Sequence, residues 1–198
     1  MSTIQHFSVD NTGLKGVKLI TPFFLTDERG YFIKSFEKDV FSSFGLDLVF
    51  NETFESRSAK YVLRGLHFQT VEPQSKLVSV SMGCVFDVIV DLRKNSPTYG
   101  RWEGFELSEQ SMKVLFIPAG FAHGFISLAE TSIVNYKCCG RYLKEYDTGI
   151  IWNDRDLNIT WPVTSEQIKI SDRDSKLMTF SDFNRIYGGL DHDQRFAR

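Results

Sequence analysis

The stretch Leu77–Asp91, with the sequence LVSVSMGCVFDVIVD, decides the fold. Over Val78–Gly83, valines and a methionine alternate with serines and a glycine, which is the period-two pattern of a half-buried β-strand. The apolar run Val88–Val90 follows, with an aspartate at each end. The pattern predicts two consecutive strands joined by a turn or bend near Gly83.

Shorter strand patterns occur on both sides of this stretch. The further predicted strands are Val17–Phe24, Leu63–Phe68, Lys113–Ile117, Phe125–Leu128 and Thr131–Cys138. We expect the last two to form a hairpin around Ala129-Glu130. A short helix is predicted over Phe36–Phe44, where apolar residues recur near helical spacing. Many short strands and 18 phenylalanines predict an all-β class, a sandwich or a barrel-like jelly roll that encloses a polar site.

The chain of 198 residues has the length of one domain with a well-formed core. We predict a single domain over residues 1–198, with an N-terminal arm over about residues 1–30. After Trp161-Pro162 the sequence becomes charged and irregular. This change predicts a tail, from about residue 163 to 198, of short peripheral helices or loops on the surface.

Charge and cysteine content narrow the class of protein. A net charge of −2 and a pI near 6.1 argue against a nucleic-acid binder, which normally has a basic face. An odd number of cysteines, of which Cys138 and Cys139 are adjacent, is a poor disulfide framework and predicts a reducing compartment. The N-terminus lacks a signal-peptide pattern, and no apolar run approaches the ~20 residues that span a bilayer. We therefore expect a cytoplasmic protein with no membrane partner.

The histidines are the strongest indication of chemistry. His6 and His192 lie near the ends, whereas His67 and His123 lie inside the chain beside glycine and apolar residues. An imidazole takes and returns protons near neutral pH, so His67 in a pocket predicts an acid–base enzyme. Metal-binding cupins use two histidines one residue apart, a pattern that His67-Phe68-Gln69 does not have. No metal site is predicted, because two separated histidines fall short of the usual three or four ligands.

Other polar residues have both a catalytic and a structural interpretation. Lys76 opens a strand, where its ammonium either stabilises an oxyanion or is simply solvated. Tyr136 either donates a proton or packs with its hydroxyl satisfied, and His123 is more typical of a structural hydrogen bond. Arg29 and Arg64 suit either phosphate binding or surface ion pairs. A buried histidine needs a carboxylate that fixes its tautomer, and periodicity does not choose among the candidates in the tail. These candidates are Asp172, Asp174 and Asp182.

Short motifs along the chain, taken together, resemble one family. In order, they are Asp27–Gly30 (DERG), Leu63–Gln69 (LRGLHFQ), Lys76–Val78 (KLV), Phe86–Arg93 (FDVIVDLR), Ser96–Gly100 (SPTYG), Ile117–Phe125 (IPAGFAHGF), Tyr136-Lys137 and Ile159–Pro162 (ITWP). Over roughly residues 12 to 175, the chain is similar to the dTDP-4-dehydrorhamnose 3,5-epimerase family of sugar-nucleotide enzymes. A long run of ordered motifs is much more specific than any one of them.

This resemblance implies a cupin-like jelly roll, a homodimer with exchanged N-terminal strands, and a nucleotide-diphosphate sugar as substrate. It also implies that the enzyme uses no metal and no organic cofactor. His67 matches the family's catalytic base, and Asp174 matches the carboxylate that pairs with it. Tyr136 matches the proposed acid, and Lys76 matches the lysine beside the sugar ketone. The implied substrate-binding positions are Arg29, Phe32, Lys34, Glu52, Phe54, Arg64, Gln69, His123 and Arg173.

Three positions depart from the family's pattern. Lys34 stands where many members have glutamate, and Glu52 and Phe54 stand where glutamine and asparagine are common. We hypothesise that the catalytic set is kept, while the nucleotide, the deoxysugar or the number of inverted carbons (C3, C5 or both) differs. Two alternatives stay open, namely a sugar-nucleotide ketoisomerase of the same fold and a non-catalytic sugar-binding jelly roll.

Overall fold

A computed structural model describes residues 3–191 of the chain. Its strands, in chain order, are β1 (Thr3–Gln5), β2 (Ser8–Asn11), β3 (Lys18–Thr21), β4 (Phe23–Asp27), β5 (Gly30–Lys34), β6 (Phe50–Ala59), β7 (Leu63–Gln69), β8 (Ser75–Met82), β9 (Cys84–Asp91), β10 (Trp102–Ser108), β11 (Val114–Ile117), β12 (Phe121–Ser127), β13 (Thr131–Cys139) and β14 (Asp147–Gly149). The helices are α1 (Lys38–Ser43) and α2 (Phe180–Tyr187), and single 3-10 turns cover Lys144–Tyr146, Ser165–Gln167 and Asp174–Lys176. His192 and the end of the predicted tail, residues 192–198, lie outside the described residues.

Over the described part of the chain, the strands form three sheets. A five-stranded sheet has the order β10-β9-β12-β7-β14, and a six-stranded sheet has the order β2-β3-β11-β8-β13-β6. A small N-terminal sheet has the order β1-β4-β5. Neighbouring strands pair antiparallel, and the two larger sheets pack face to face. This architecture is a cupin-like jelly roll, which confirms the predicted all-β class.

The main core lies between the two larger sheets. Val78 and Val80 of β8 contact it from the six-stranded sheet, and Val85 and Ile89 of β9 contact it from the five-stranded sheet. All four side chains are buried. The two halves of the Leu77–Asp91 stretch therefore face each other across the core. Full burial of each such side chain stabilises the fold by about 1.5–3 kcal/mol.

Both larger sheets are also covered on their outer faces. Phe183 of α2 packs with Val88 against the outside of the five-stranded sheet. Phe41 of α1 packs with Leu77 and Phe116 against the outside of the six-stranded sheet. The central strands are thus buried on two sides, and nearly every residue of β9 and β12 is buried. Within residues 3–191, neither helix has the length and apolar character needed to cross a bilayer.

Two predictions about connections are wrong. The expected hairpin around Ala129-Glu130 does not form, because β12 pairs within the five-stranded sheet and β13 within the six-stranded sheet. The strand predicted over Val17–Phe24 is interrupted at Pro22, and its two halves, β3 and β4, belong to different sheets. Proline has no backbone N–H to give to a sheet, so it suits the point where the chain changes sheets. The predicted helix over Phe36–Phe44 is confirmed as α1.

Gly83 is the point where the chain passes from the six-stranded to the five-stranded sheet. Its φ of +76° lies in the left-handed region, which glycine adopts without strain. A Cβ atom at this position would overlap the carbonyl oxygen of Thr131 and lie 2.9 Å from Ser132 Oγ. The passage between sheets therefore depends on a residue without a side chain.

We predict that Gly83→Ala destabilises the protein more than Gly45→Ala. Gly45 has nearly the same φ, +77°, but a Cβ there would meet nothing within 4 Å. Gly45→Ala should cost about 1 kcal/mol of backbone strain, whereas Gly83→Ala should cost about 3 kcal/mol because the clash adds to that strain. Urea unfolding gives both values. Equal costs for the two variants would contradict the predicted clash.

Candidate active site

A cavity of about 300 Å³ lies between the two larger sheets, a volume at the lower end of the range for ligand pockets. Side chains from both sheets, from Arg173 and from the 3-10 turn Asp174–Lys176 surround the cavity. The lining residues are Phe54, Ser56, Arg64, His67, Lys76, His123, Gly124, Phe125, Tyr136, Arg173 and Asp174. The structure therefore brings together eight of the predicted site residues. These are His67, Lys76, Tyr136, Asp174, Phe54, Arg64, His123 and Arg173.

His67 extends from β7 on the five-stranded wall, and its side chain is 28% exposed. Its Nε2 lies 2.8 Å from Oδ1 of the buried Asp174. An ionised carboxylate only accepts hydrogen bonds, so Nε2 carries the proton and Nδ1 keeps a free lone pair. Of the three aspartates that the sequence left open, Asp174 is the one that pairs with His67.

Asp174 is held in its ionised form by its neighbours. Burial alone would raise the pKa of this carboxyl group. The hydrogen bond and charge of His67, the backbone N–H of Gly65 and the charge of Arg173 outweigh burial and lower the pKa below its usual range. The Gly65 N–H donates to Asp174 Oδ2 at 3.1 Å. An ionised Asp174 fixes the orientation of the His67 ring.

A second histidine–carboxylate pair lies beside the first. His123 on β12 stands opposite His67 on β7 in the sheet register. His123 Nε2 lies 2.8 Å from Oδ2 of Asp87, and both residues are buried. Asp87 was not among the predicted site residues. Its signal in the sequence is a carboxylate inside the apolar run Phe86–Val90, where a buried charge needs a partner.

Tyr136 extends from β13 on the six-stranded wall, across the cavity from His67. It is 8% exposed, and its ring stacks on Phe54 of the neighbouring strand β6. Burial raises the pKa of the Tyr136 phenol above its usual range, and the charge of Asp87 raises it further, whereas Arg64 opposes this shift. The phenol is therefore protonated at neutral pH and able to donate.

Positively charged side chains line the cavity on both walls. Lys76 on β8 stands opposite Cys138 on β13, which is two residues along the strand from Tyr136. Lys76 and Tyr136 are therefore diagonal neighbours across the two strands. Arg64 donates from Nε to Ser58 Oγ at 3.0 Å, which fixes the direction of its guanidinium. Arg173 is held by an ion pair with Asp147 at 2.7 Å. These three cations suit an anionic substrate.

Two predicted substrate-binding residues have other roles in the structure and do not line the cavity. Gln69 is buried, and its Nε2 donates to the carbonyl oxygens of Val71, Glu72 and Arg141. This amide ties loops together instead of facing a ligand. Glu52 lies on β6, and its carboxylate accepts a hydrogen bond from Gln74 Nε2 at 3.0 Å.

The other three predicted residues outside the cavity belong to the hairpin β4–β5. Arg29 pairs with Asp27 of the same turn, and Lys34 pairs with Glu37 at 2.7 Å. Phe32 is 55% exposed. Within one copy of the chain, the structure does not place Arg29, Phe32 or Lys34 at the cavity. Their contacts with a substrate stay predictions.

Sequence reasoning missed several residues that shape the site. Ser56, Gly124 and Phe125 line the cavity next to residues that were predicted. Asp147 holds Arg173 in place. Alternation along β6 already places Ser56 on the same face as Phe54, which is the signal that was available for it. Within residues 3–191, no three histidine, cysteine, aspartate or glutamate side chains group closely enough to hold a metal ion.

Comparisons with known proteins show which family the chain is similar to. The sequence profile of the dTDP-4-dehydrorhamnose 3,5-epimerase family matches residues 11–182. The chain is 50% identical over 172 residues to the dTDP-4-dehydrorhamnose 3,5-epimerase of Methanothermobacter thermautotrophicus, covering 86% of this chain and 93% of that protein. It is 42% identical over 181 residues to the Escherichia coli enzyme of the same name, covering 90% of this chain and 97% of the other.

A solved structure shows the same fold with a nucleotide sugar bound. It is the dTDP-6-deoxy-D-glucose-3,5-epimerase of Legionella pneumophila in complex with dTDP-4-keto-L-rhamnose. Its TM-score to this chain is 0.89 at 38% sequence identity, and the match covers 96% of this chain and all of that one. The likeness thus extends over nearly the whole length of both chains.

The hydrogen bond between His67 and the ionised Asp174 makes a pH-dependent contribution to stability. The lowered pKa of Asp174 means that the folded state binds its proton less readily than the unfolded chain, so the contribution is present above about pH 5. It is lost as the pH falls through the lowered pKa. We predict that Asp174→Asn costs about 2 kcal/mol in urea unfolding at pH 7. The cost should shrink towards pH 3.

The matched control for this prediction is Asp172→Asn. Asp172 is exposed and lies two residues away in the same segment. This variant should unfold like the wild type at both pH values. An Asp174→Asn cost that stays constant from pH 7 to pH 3 would contradict the assigned ionisation of Asp174.

Proposed function

The chain belongs to the dTDP-4-dehydrorhamnose 3,5-epimerase family, and we propose that it inverts C3 and C5 of a nucleotide-diphosphate 4-keto-6-deoxyhexose in deoxysugar biosynthesis. The main support is the arrangement of two residues in one cavity. A carboxylate-paired histidine and a buried, protonated tyrosine lie on its opposite walls. Inversion of a carbon needs removal of a proton on one face and return of a proton on the other.

His67 is the proposed base. The hydrogens on C3 and C5 are both α to the C4 ketone, so their C–H bonds are weakly acidic. The free Nδ1 lone pair of His67 takes the proton, and the C–H electron pair moves into an enolate whose charge rests on the C4 oxygen. Asp174 stabilises the imidazolium that forms, because its carboxylate accepts the hydrogen bond from Nε2.

Tyr136 is the proposed acid. Its O–H bond breaks as the proton passes to the opposite face of the same carbon, and the C4 ketone forms again. The imidazolium and the phenolate then return to their starting forms by exchange with solvent. A phenol with a raised pKa gives up its proton only to a stronger base such as a carbanion, which matches this role.

Lys76 is the proposed partner of the enolate oxygen, since a fixed positive charge is most effective where negative charge develops. Arg64 and Arg173 are the proposed partners of the diphosphate, which their guanidinium groups match in charge and geometry. The relatives' names favour dTDP as the nucleotide, and they favour 4-dehydrorhamnose and its epimer at C3 and C5, the 4-keto form of 6-deoxyglucose, as product and substrate. Lys34 and Glu52 depart from the family's pattern but are paired within the protein and do not line the cavity.

We further propose a homodimer built on the N-terminal sheet. Every residue of β5 is exposed, and the sheet presents large apolar side chains to solvent, with Ile4 at 60%, Tyr31 at 58% and Phe32 at 55% exposure. An exposed apolar patch next to an edge strand indicates a protein interface. A second copy would cover the patch, and the hairpin β4–β5 would bring Arg29 and Phe32 to the partner's cavity.

We also propose that the protein works in the cytoplasm. Cys84, Cys138 and Cys139 are free thiols, and the last two are buried next to each other in β13. Free thiols are typical of a reducing compartment, which supports the proposal.

The central prediction concerns His67→Ala. In deuterium oxide with dTDP-4-keto-6-deoxyglucose, the variant should lose exchange at C3 and C5 by about 100- to 10,000-fold, the usual contribution of a general base. Proton NMR follows the exchange at each carbon. Loss of the hydrogen bond to the buried Asp174 should lower the unfolding temperature. The circular dichroism spectrum and the dTDP affinity at the assay temperature should stay near wild-type values, which separates loss of the base from loss of the fold. Exchange at the wild-type rate would remove His67 from its proposed role.

A panel of nucleotides tests the substrate. We expect the dTDP-linked 4-keto-6-deoxy sugar to be turned over at least ~10-fold more efficiently than its CDP- or GDP-linked counterpart, a difference of about 1.4 kcal/mol. The measurement is kcat/KM for each sugar nucleotide. Preference for CDP or GDP would overturn the proposed nucleotide and leave the epimerase reaction in place.

The dimer is tested by Phe32→Asp, which puts a charge into the proposed interface. Sedimentation velocity over a range of concentrations should show a wild-type dimer and a monomeric variant, because a buried unpaired charge is costly. The control is Ile186→Asp on α2, since Ile186 is equally exposed at 55% but lies outside the N-terminal sheet. A wild-type protein that sediments as a monomer at every concentration would refute the homodimer.

A further inference from the structure

Phe54 and Tyr136 form a stacked aromatic pair inside the cavity. They stand directly opposite each other in the register of β6 and β13. Their ring centroids lie 4.6 Å apart, and the rings are nearly parallel at 16°. Stacking of this kind stabilises by about 0.5–1.5 kcal/mol beyond the burial of area. The pair therefore restricts the movement of the Tyr136 ring.

The two rings differ greatly in exposure. Tyr136 is 8% exposed, whereas Phe54 is 49% exposed and lines the cavity. His123 contacts Tyr136 on another side, edge-on, at a centroid distance of 6.0 Å. One face of Tyr136 is thus covered by a ring that itself faces solvent. The burial of Tyr136 depends on Phe54.

The residue type at position 54 matters for Tyr136. The resemblance to the family leads one to expect an asparagine there. An amide at this position would neither stack on a phenol ring nor exclude water from it. A phenylalanine therefore changes the surroundings of Tyr136 rather than only the shape of the cavity.

We propose that Phe54 is a positioning residue for Tyr136, because its stacked ring orients the phenol ring and shields it from water in the cavity. Phe54 acts through Tyr136 and needs no contact of its own with the sugar. The catalytic consequence rests on the proposed epimerase function, whereas the effect on the phenol itself does not.

The charges around Tyr136 decide the direction of the pH effect. Burial is the largest cause of the raised pKa of Tyr136, Asp87 on β9 and Cys138 on β13 add to it, and Arg64 on β7 opposes it. The other titratable groups near the cavity are His67 on β7, Lys76 on β8, His123 on β12, Glu52 on β6, and the consecutive residues Arg173 and Asp174. A substitution at Phe54 leaves all these charges in place and admits water, so the pKa of Tyr136 should fall.

Titration of the phenol tests the proposal without any substrate. Ultraviolet absorbance of phenolate is recorded against pH for the wild type and for Phe54→Asn. Each protein is compared with its own Tyr136→Phe counterpart, so that only the Tyr136 signal remains among seven tyrosines. Absorbance is read only up to the highest pH at which circular dichroism shows both proteins folded. In that range we expect the onset of Tyr136 ionisation in Phe54→Asn to lie at least about one pH unit lower than in the wild type, since desolvation shifts are of this size or larger. An unchanged onset would overturn the proposal.

Two further variants make the titration specific. Phe54→Trp keeps an aromatic face and should restore the wild-type onset. Ile186→Asn creates the same residue at a comparably exposed apolar position on α2 and should have no effect. An onset that moves equally in Phe54→Trp and Phe54→Asn would contradict a shielding role for the ring.

Kinetics provide a second readout at pH values where the fold is stable. The rate requires protonated Tyr136, so kcat falls as the pH rises through its pKa. For Phe54→Asn we expect this alkaline loss to begin at least about one pH unit lower, with kcat reduced about 10-fold and KM changed less than about twofold. Phe54→Trp should recover most of kcat. A raised KM with an unmoved pH profile would make Phe54 a substrate contact and refute the positioning role.

The two proposals fail in distinguishable ways. If the wild type does not exchange protons of any 4-keto sugar nucleotide but the onset of Tyr136 ionisation still shifts in Phe54→Asn, the proposed reaction fails and the shielding of Tyr136 stands. If the wild type is an active epimerase and neither the onset nor the pH profile moves, the reaction stands and the role of Phe54 fails.

Discussion

The hydrogen bond between His67 and Asp174 joins two parts of the chain that are 107 residues apart. It anchors the C-terminal segment to β7 and fixes which nitrogen of His67 faces the cavity. The same carboxylate also accepts the backbone N–H of Gly65, so the strand and its histidine are held by one buried charge. A jelly roll can enclose many kinds of cavity, and this contact is what gives one wall of this cavity a directed proton acceptor.

On the opposite wall of the cavity, the surroundings favour the protonated form of the titratable group and not the ionised form. Asp174 is kept ionised by donors and positive charge, whereas Tyr136 is kept protonated by burial and by the negative charge of Asp87. Two titratable groups whose environments push their pKa values in opposite directions are the signature of assigned acid–base roles. The two-sheet architecture makes this possible, because β7 and β13 belong to different sheets and present their side chains across the space between them.

The local sequence pattern predicted where individual strands lie. The alternation over Val78–Met82 placed β8 correctly, because period two follows from strand geometry alone. The predicted hairpin around Ala129-Glu130 was wrong because packing between distant segments decides which strands pair. A local sequence pattern does not contain that information. The pairing of His123 with Asp87 was missed for the same reason. Gln69 lies in a motif of the family, yet its side chain holds loops together, so membership in a motif did not decide its role.

In the proposed mechanism, different residues remove and return the proton, from opposite faces of the sugar. A single turnover of dTDP-4-keto-6-deoxyglucose on the wild-type protein in deuterium oxide, with the product analysed by NMR, is the most direct test. Every inverted carbon should carry deuterium from the solvent, because the hydrogen taken by His67 is not the one that Tyr136 delivers. An inverted carbon that retains the hydrogen of the substrate would show that one group both removes and returns it, and would refute the two-residue mechanism.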